Sequence, residues 1–107
     1  MRIEGTGKPR GCKLIRISAE IDVAPGSDLK GASPEGAVIR AVQIRGDFFA
    51  SPEESFERLE QALAGTPVSG LAAAFDGYAA KAGIETFGIN GAGVAAVLEE
   101  ALLKAVP

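Results

Sequence analysis

Ile44-Arg45-Gly46-Asp47-Phe48-Phe49-Ala50-Ser51-Pro52-Glu53-Glu54 is the stretch in which this chain changes its period. Before Gly46 the apolar residues recur at every second position, as in a strand with one buried face; after Pro52 they recur at helical spacing. Gly46 allows a tight backbone at the junction, and Asp47 is suited to bonding the amides of a turn. Ser51 can cap a helix, Pro52 suits a first helical position and Glu54 completes a capping box. Phe48 and Phe49 are adjacent, so on extended chain they face opposite ways. One is expected in the core and the other over the sheet or against a partner.

Upstream, Lys13 to Val23 alternates. Ile15, Ile17, Ala19, Ile21 and Val23 share one face; Leu14, Arg16, Ser18, Glu20 and Asp22 share the other. A second strand runs from Val38 to Gly46, with Val42 and Ile44 at period two and Arg40 and Arg45 polar. Ile39 beside Val38 interrupts the alternation and marks a bulge. Between the strands, residues 24–36 hold Pro25, Gly26, Ser27, Gly31, Ser33, Pro34 and Gly36, which reads as an exposed hairpin loop. Two strands of similar length around one loop are most simply antiparallel.

Downstream, Phe56, Leu59 and Leu63 form the apolar stripe of a first helix that ends near Gly65. Ser69 can cap a second helix whose inner face is Leu71, Phe75, Tyr78 and Ala82, with Gly83 as its end. Ile84 to Ile89 is a connector or short strand. Asn90 can cap a third helix to about Ala105, with Val94, Val97, Leu98 and Leu102 inward. A hairpin followed by about three helices predicts an α+β domain, a small antiparallel sheet covered by C-terminal helices. With 107 residues the chain makes one domain, 1–107.

Composition narrows the chemistry. There is no His, which removes Ser-His and Cys-His nucleophile pairs and imidazole metal sites. The single Cys12 excludes an intrachain disulfide and a zinc ribbon, and no metal site is expected. With no Trp and 6% aromatic residues, a base-stacking platform is not expected. The longest uncharged run, 61–75, contains Gly, Pro and Ser, so no membrane span is expected. One unpaired Cys and a polar, basic start fit a reducing cytoplasm.

Charge is unevenly laid out on a chain of net charge −3. Residues 1–16 carry five cations against Glu4 alone, whereas 17–107 carry six cations against 13 carboxylates. A basic arm, 1–12, on an acidic body reads either as a local anion or partner contact or as a solvated terminal strand; the acidic remainder argues against nucleic acid. Lys8, Arg10 and Lys13 lie within six residues around Pro9 and Gly11. Glu53, Glu54, Glu57 and Glu60 form a charge run best read as a solvated helix face with favourable dipole placement. Gly91-Ala92-Gly93 resembles a piece of a dinucleotide loop, but glycines at a helix start account for it. Cys12, among Arg10, Gly11 and Lys13, is either a reactive thiol or a small residue near a strand start.

Three segments carry a family resemblance. They are Lys8-Pro9-Arg10-Gly11-Cys12-Lys13-Leu14-Ile15-Arg16, Val42-Gln43-Ile44-Arg45-Gly46-Asp47-Phe48-Phe49, and Leu59-Glu60-Gln61-Ala62-Leu63-Ala64-Gly65. In that order they resemble the small accessory domain of lipoate–protein ligases, over about residues 8–104. That family has a basic Gly/Lys turn, a strand ending in Gly-Asp-Phe-Phe, and a capped acidic helix followed by two more helices. Cys12 stands where a Gly is common, and the 24–36 loop is longer than usual.

The resemblance implies an accessory subunit without activity of its own. It would assist a large catalytic subunit in activating lipoate with ATP to lipoyl-AMP. Lipoate, ATP and Mg would be handled by that partner, with none bound by this chain alone. Lys8, Arg10 and Lys13 would assist the partner's active site, Lys8 and Lys13 foremost, and Gly46, Asp47, Phe48 and Phe49 would form the turn and interface. Iron–sulfur scaffold and sulfur-acceptor proteins share the strand–turn–helix outline. Their Gly-Asp turn leads into a Cys, where this chain has Phe48. A protein-interaction module of the same fold is the third alternative.

Overall fold

The computed structural model describes residues 1–23 and 37–105. Its elements in order are β1 (Arg2–Gly7), β2 (Ile15–Val23), β3 (Ala37–Gly46), β4 (Phe49–Ser51), α1 (Glu53–Ala62), a 3-10 turn at Val68–Gly70, α2 (Leu71–Ala82), β5 (Glu85–Phe87) and α3 (Gly91–Ala105). The fold is α+β. A three-stranded antiparallel sheet of order β1-β2-β3 packs against the helices, and β4 pairs with β5 in a separate two-stranded ladder.

The alternation in β2 does what period two requires: Ile15, Ile17, Ala19 and Ile21 are buried. They meet Ile3 of β1, Ala37, Ile39, Val42 and Ile44 of β3, and the inner faces of the helices. α3 covers β1 and β2, and α1 covers β3. Val94, Val97, Leu98 and Leu102 of α3 are buried as their spacing predicts, with Ala95 and Ala101 beside them. Asn90 caps this helix, its Oδ1 accepting the Gly93 amide at 2.7 Å. Among the described residues no helix is long and apolar enough to cross a membrane.

Of the two readings open for the basic start of the chain, the terminal strand is the one that residues 2–7 adopt. Residues 2–7 are strand β1, paired along β2 from Arg2↔Glu20 to Gly7↔Ile15. Gly5 lets α3 come close: a Cβ there would lie 2.7 Å from Ala101 Cβ and 3.2 Å from the Val97 carbonyl oxygen. The bulge exists but falls at Arg40, because Glu20 pairs with Ala41 while Ile21 pairs with Ile39. The extra residue returns Ile39 and Val42 to the same buried face. The 24–36 loop lies outside the described residues.

Three helix details also differ. α1 begins at Glu53 with Pro52 in the capping position and no side-chain cap, since Ser51 is already committed to β4. Ser69 sits inside the 3-10 turn, and α2 begins two residues later, at Leu71. Ala82 is exposed at the end of α2, which Gly83 terminates in the left-handed conformation.

Glu60 is not part of a solvated face. It falls in the apolar stripe between Leu59 and Leu63, and its carboxylate accepts the Ile44 amide at 2.6 Å and the Arg45 guanidinium at 2.9 Å. Those bonds close the outer edge of β3 at Ile44. At Ile39 the same edge is closed by the Thr66 carbonyl and the Gly65 amide, at 2.8 and 2.7 Å.

Candidate functional site

Lys8 to Leu14 connects β1 to β2 as a turn in which Lys8, Arg10, Gly11 and Lys13 are exposed and Cys12 is buried. The Cys12 amide donates to the Pro9 carbonyl at 2.9 Å, and Gly11 takes φ 79° to complete the reversal. Lys8, Arg10 and Lys13 are exposed, and none makes an ion pair with a described residue. Arg2, by contrast, is engaged by Glu4 and Glu20 at 3.2 and 3.8 Å. The arm's free positive charge is therefore concentrated in the turn.

The turn that follows β3 lies beside it. Gly46 has φ 148° and sits against Leu14, where a Cβ would collide with the Leu14 carbonyl. The Asp47 amide donates to that same carbonyl at 3.0 Å. Asp47 thus joins the turn through its main chain. From the other side, the Lys13 amide donates to the Gly88 carbonyl at 2.8 Å. Three separate segments, 8–14, 46–49 and 87–88, meet at one end of the sheet.

The two adjacent Phe divide, though the inward one, Phe48, packs at the margin of the core and not within it. Phe48 is half-buried and packs on Phe56 at a 45° tilt, centroids 5.5 Å apart, and Phe56 meets Phe75 edge-on at 6.1 Å. Phe49 is 61% exposed. Its cross-strand partner is Phe87, 68% exposed, at the end of the short strand that is one of the two readings of 84–89. A lone large apolar residue beside Gly88 was the available signal. Phe49 also lines an open groove of about 360 Å³ with Arg45, Glu53 and Glu57.

Cys12 is a core residue, 7% exposed, and packs against α3 where a Cβ on Gly93 would come within 2.7 Å of Sγ. Among the described residues no group of three or more His, Cys, Asp or Glu is placed to hold a metal ion. The amides at the start of α3 are used internally. Gly91 donates to Asp76 Oδ1 at 2.8 Å and Gly93 to Asn90. A carboxylate already occupies the position that a phosphate would take. What remains for chemistry is an exposed cationic turn beside an exposed aromatic pair.

No family model matches the sequence, and no curated protein matches it. Among solved structures, the chain is similar to one in the structure of an archaeal lipoylation system from Thermoplasma acidophilum, a bipartite lipoate protein ligase with its E2 lipoyl domain. The TM-score is 0.62 at 25% identity, over 95% of this chain and 94% of the other.

Proposed function

We propose that this chain is the accessory component of a two-part lipoate–protein ligase. It acts in lipoylation by assisting a separate catalytic subunit in the ATP-dependent activation of lipoate. The observation that carries this reading is the end-to-end likeness to a chain of nearly equal length from a bipartite lipoate protein ligase structure. The exposed turn bearing Lys8, Arg10 and Lys13 supports it chemically.

In the activation step a carboxylate oxygen of lipoate bonds to the α-phosphorus of ATP. The bond from that phosphorus to the bridging oxygen breaks, and pyrophosphate leaves. Negative charge grows on the departing phosphates, and cations aimed there lower the barrier. Lys supplies a point charge and Arg a planar fork. In this reading Lys8 and Lys13 bear most on the step, with Arg10 beside them. Lipoate, ATP and Mg²⁺ are held by the catalytic subunit.

The test uses the catalytic subunit of a two-part ligase from the same organism, supplied with lipoate, ATP and Mg²⁺. Pyrophosphate release should be low without this chain and rise at least tenfold with it, while the chain alone releases none above blank. Turnover by the isolated chain, or no stimulation of the catalytic subunit, would overturn the reading.

A further inference from the structure

We propose that the cross-strand pair Phe49–Phe87 is the docking anchor through which this chain seats on its catalytic subunit, in an apolar socket beside that subunit's nucleotide-phosphate site. The inference rests on the function proposed above and names the surface that the function requires.

The β4–β5 ladder has two unlike faces. Successive residues of a strand project to opposite sides. Ala50 packs on the core, so Phe49, and Phe87 opposite it, project outward. Two large aromatic side chains standing directly opposite each other, both more than 60% exposed, are costly to leave in water. Aromatic side chains of this kind form the well-packed centres of interfaces.

The charges around the pair identify the occupant. Beyond Phe87 stands Gly88, whose carbonyl holds the Lys13 amide, and a Cβ on Gly88 would run into the Lys13 side chain. The main chain of Lys13 is thereby held at one end of the ladder, with Lys8 and Arg10 in the same turn. At the other end Ser51 pairs with Glu85, and the chain runs directly into Glu53 and Glu54. Along the length of the ladder the order is the cation-bearing turn, two aromatic rings, then carboxylates. It fits a partner surface presenting an anionic ligand, an apolar socket and a cationic rim in that order. A nucleotide-binding subunit with its triphosphate beside the socket meets that description. Seating the rings also fixes where Lys13 stands, because turn and ladder are joined by main-chain hydrogen bonding. The pair holds the chain in place and the turn acts.

The experiment titrates the catalytic subunit with wild-type chain, Phe49→Ala, Phe87→Ala and the double variant, by calorimetry and by stimulated pyrophosphate release. Leu103→Ala, an exposed apolar residue on α3 away from the ladder, serves as control. The expected result is a Kd and a half-activating concentration raised at least tenfold by either Phe change. Far-UV circular dichroism should stay unaltered, and the control should behave as wild type. If wild type binds and stimulates while both Phe variants bind as tightly, the interface lies elsewhere; the anchor assignment falls and the function stands. If wild type neither binds nor stimulates, both fall. If the chain alone sediments as a dimer that Phe87→Ala dissolves, the face belongs to a second copy and the assignment is overturned.

Discussion

The carboxylate of Glu60 and the amide of Ile44 meet at 2.6 Å, with Glu60 only 7% exposed. A side chain from α1 thus does for β3 what a fourth strand would do. It satisfies an outward amide and denies that edge to other chains.

Replacing Glu60 by Leu should leave the Ile44 N–H buried without a partner. The expected loss is about 1–3 kcal/mol, the usual cost of one unsatisfied buried donor. Arg45→Ala should cost less than about 1 kcal/mol, because the guanidinium end of the pair is largely exposed. Glu60→Gln keeps an acceptor and should fall between. Denaturant unfolding of the three variants checks the order, and a Leu variant as stable as wild type would deny the edge-closing role.

Glu60 also shows where the sequence was legible and where it was not. Period two in β2, the capped third helix and the split of Phe48 from Phe49 could all be read, because each rests on local spacing. Glu60 belongs by composition to a charge run, although its place between Leu59 and Leu63 puts it on the buried stripe. A terminal strand was open for residues 1–12, but β1 shows no clear period because Gly5 and Gly7, which lower strand propensity, are there to admit α3. That reason lies in a helix almost a whole chain away. The β4–β5 ladder is three residues a side, too short to show a period, so Phe87 had no visible partner.

Phe48→Ala and Phe49→Ala should separate stability from binding. Phe48 packs on Phe56 but is only partly buried, so its loss should cost roughly 2–3 kcal/mol, below the 3–5 typical of a buried Phe. Phe49→Ala should shift the melting temperature by no more than a few degrees. Thermal unfolding of the two single variants measures the difference; equal shifts would remove the distinction.

Gly93→Ala should destabilise the chain by about 1–3 kcal/mol, because the added methyl meets Cys12 Sγ within 2.7 Å and the Asn90 cap within 3.3 Å. Cys12→Ala in the same chain should recover part of that loss, a coupling that a double-mutant cycle reads directly. Cys12→Ser alone should leave stimulation of the catalytic subunit nearly intact. Iron or persulfide on anaerobically purified wild type, lost in the Ser variant, would favour sulfur chemistry instead.

Lys8→Ala, Arg10→Ala and Lys13→Ala, mixed with the catalytic subunit at saturating concentration, should lower lipoyl-AMP formation by tenfold or more in combination. That corresponds to about 1.4 kcal/mol of transition-state stabilisation. Transfer from preformed lipoyl-AMP should be unchanged. Equal loss in both half-reactions would reduce the turn to a docking element, and no loss in either would leave it a solvated connection.

The close fit of Gly5 to Ala101 has a consequence for how the chain folds. β1 and α3 stand at opposite ends of the described sequence, yet one cannot bury its inner face without the other. The sheet can zip from the β2–β3 pairing, but β1 remains half-covered until Gly91–Ala105 has left the ribosome. Closure over so long a stretch of chain is entropically costly and favours slow folding. The nascent protein therefore carries an exposed inner face of β1 until α3 arrives, and that interval is when it is most open to chaperones and to proteolysis.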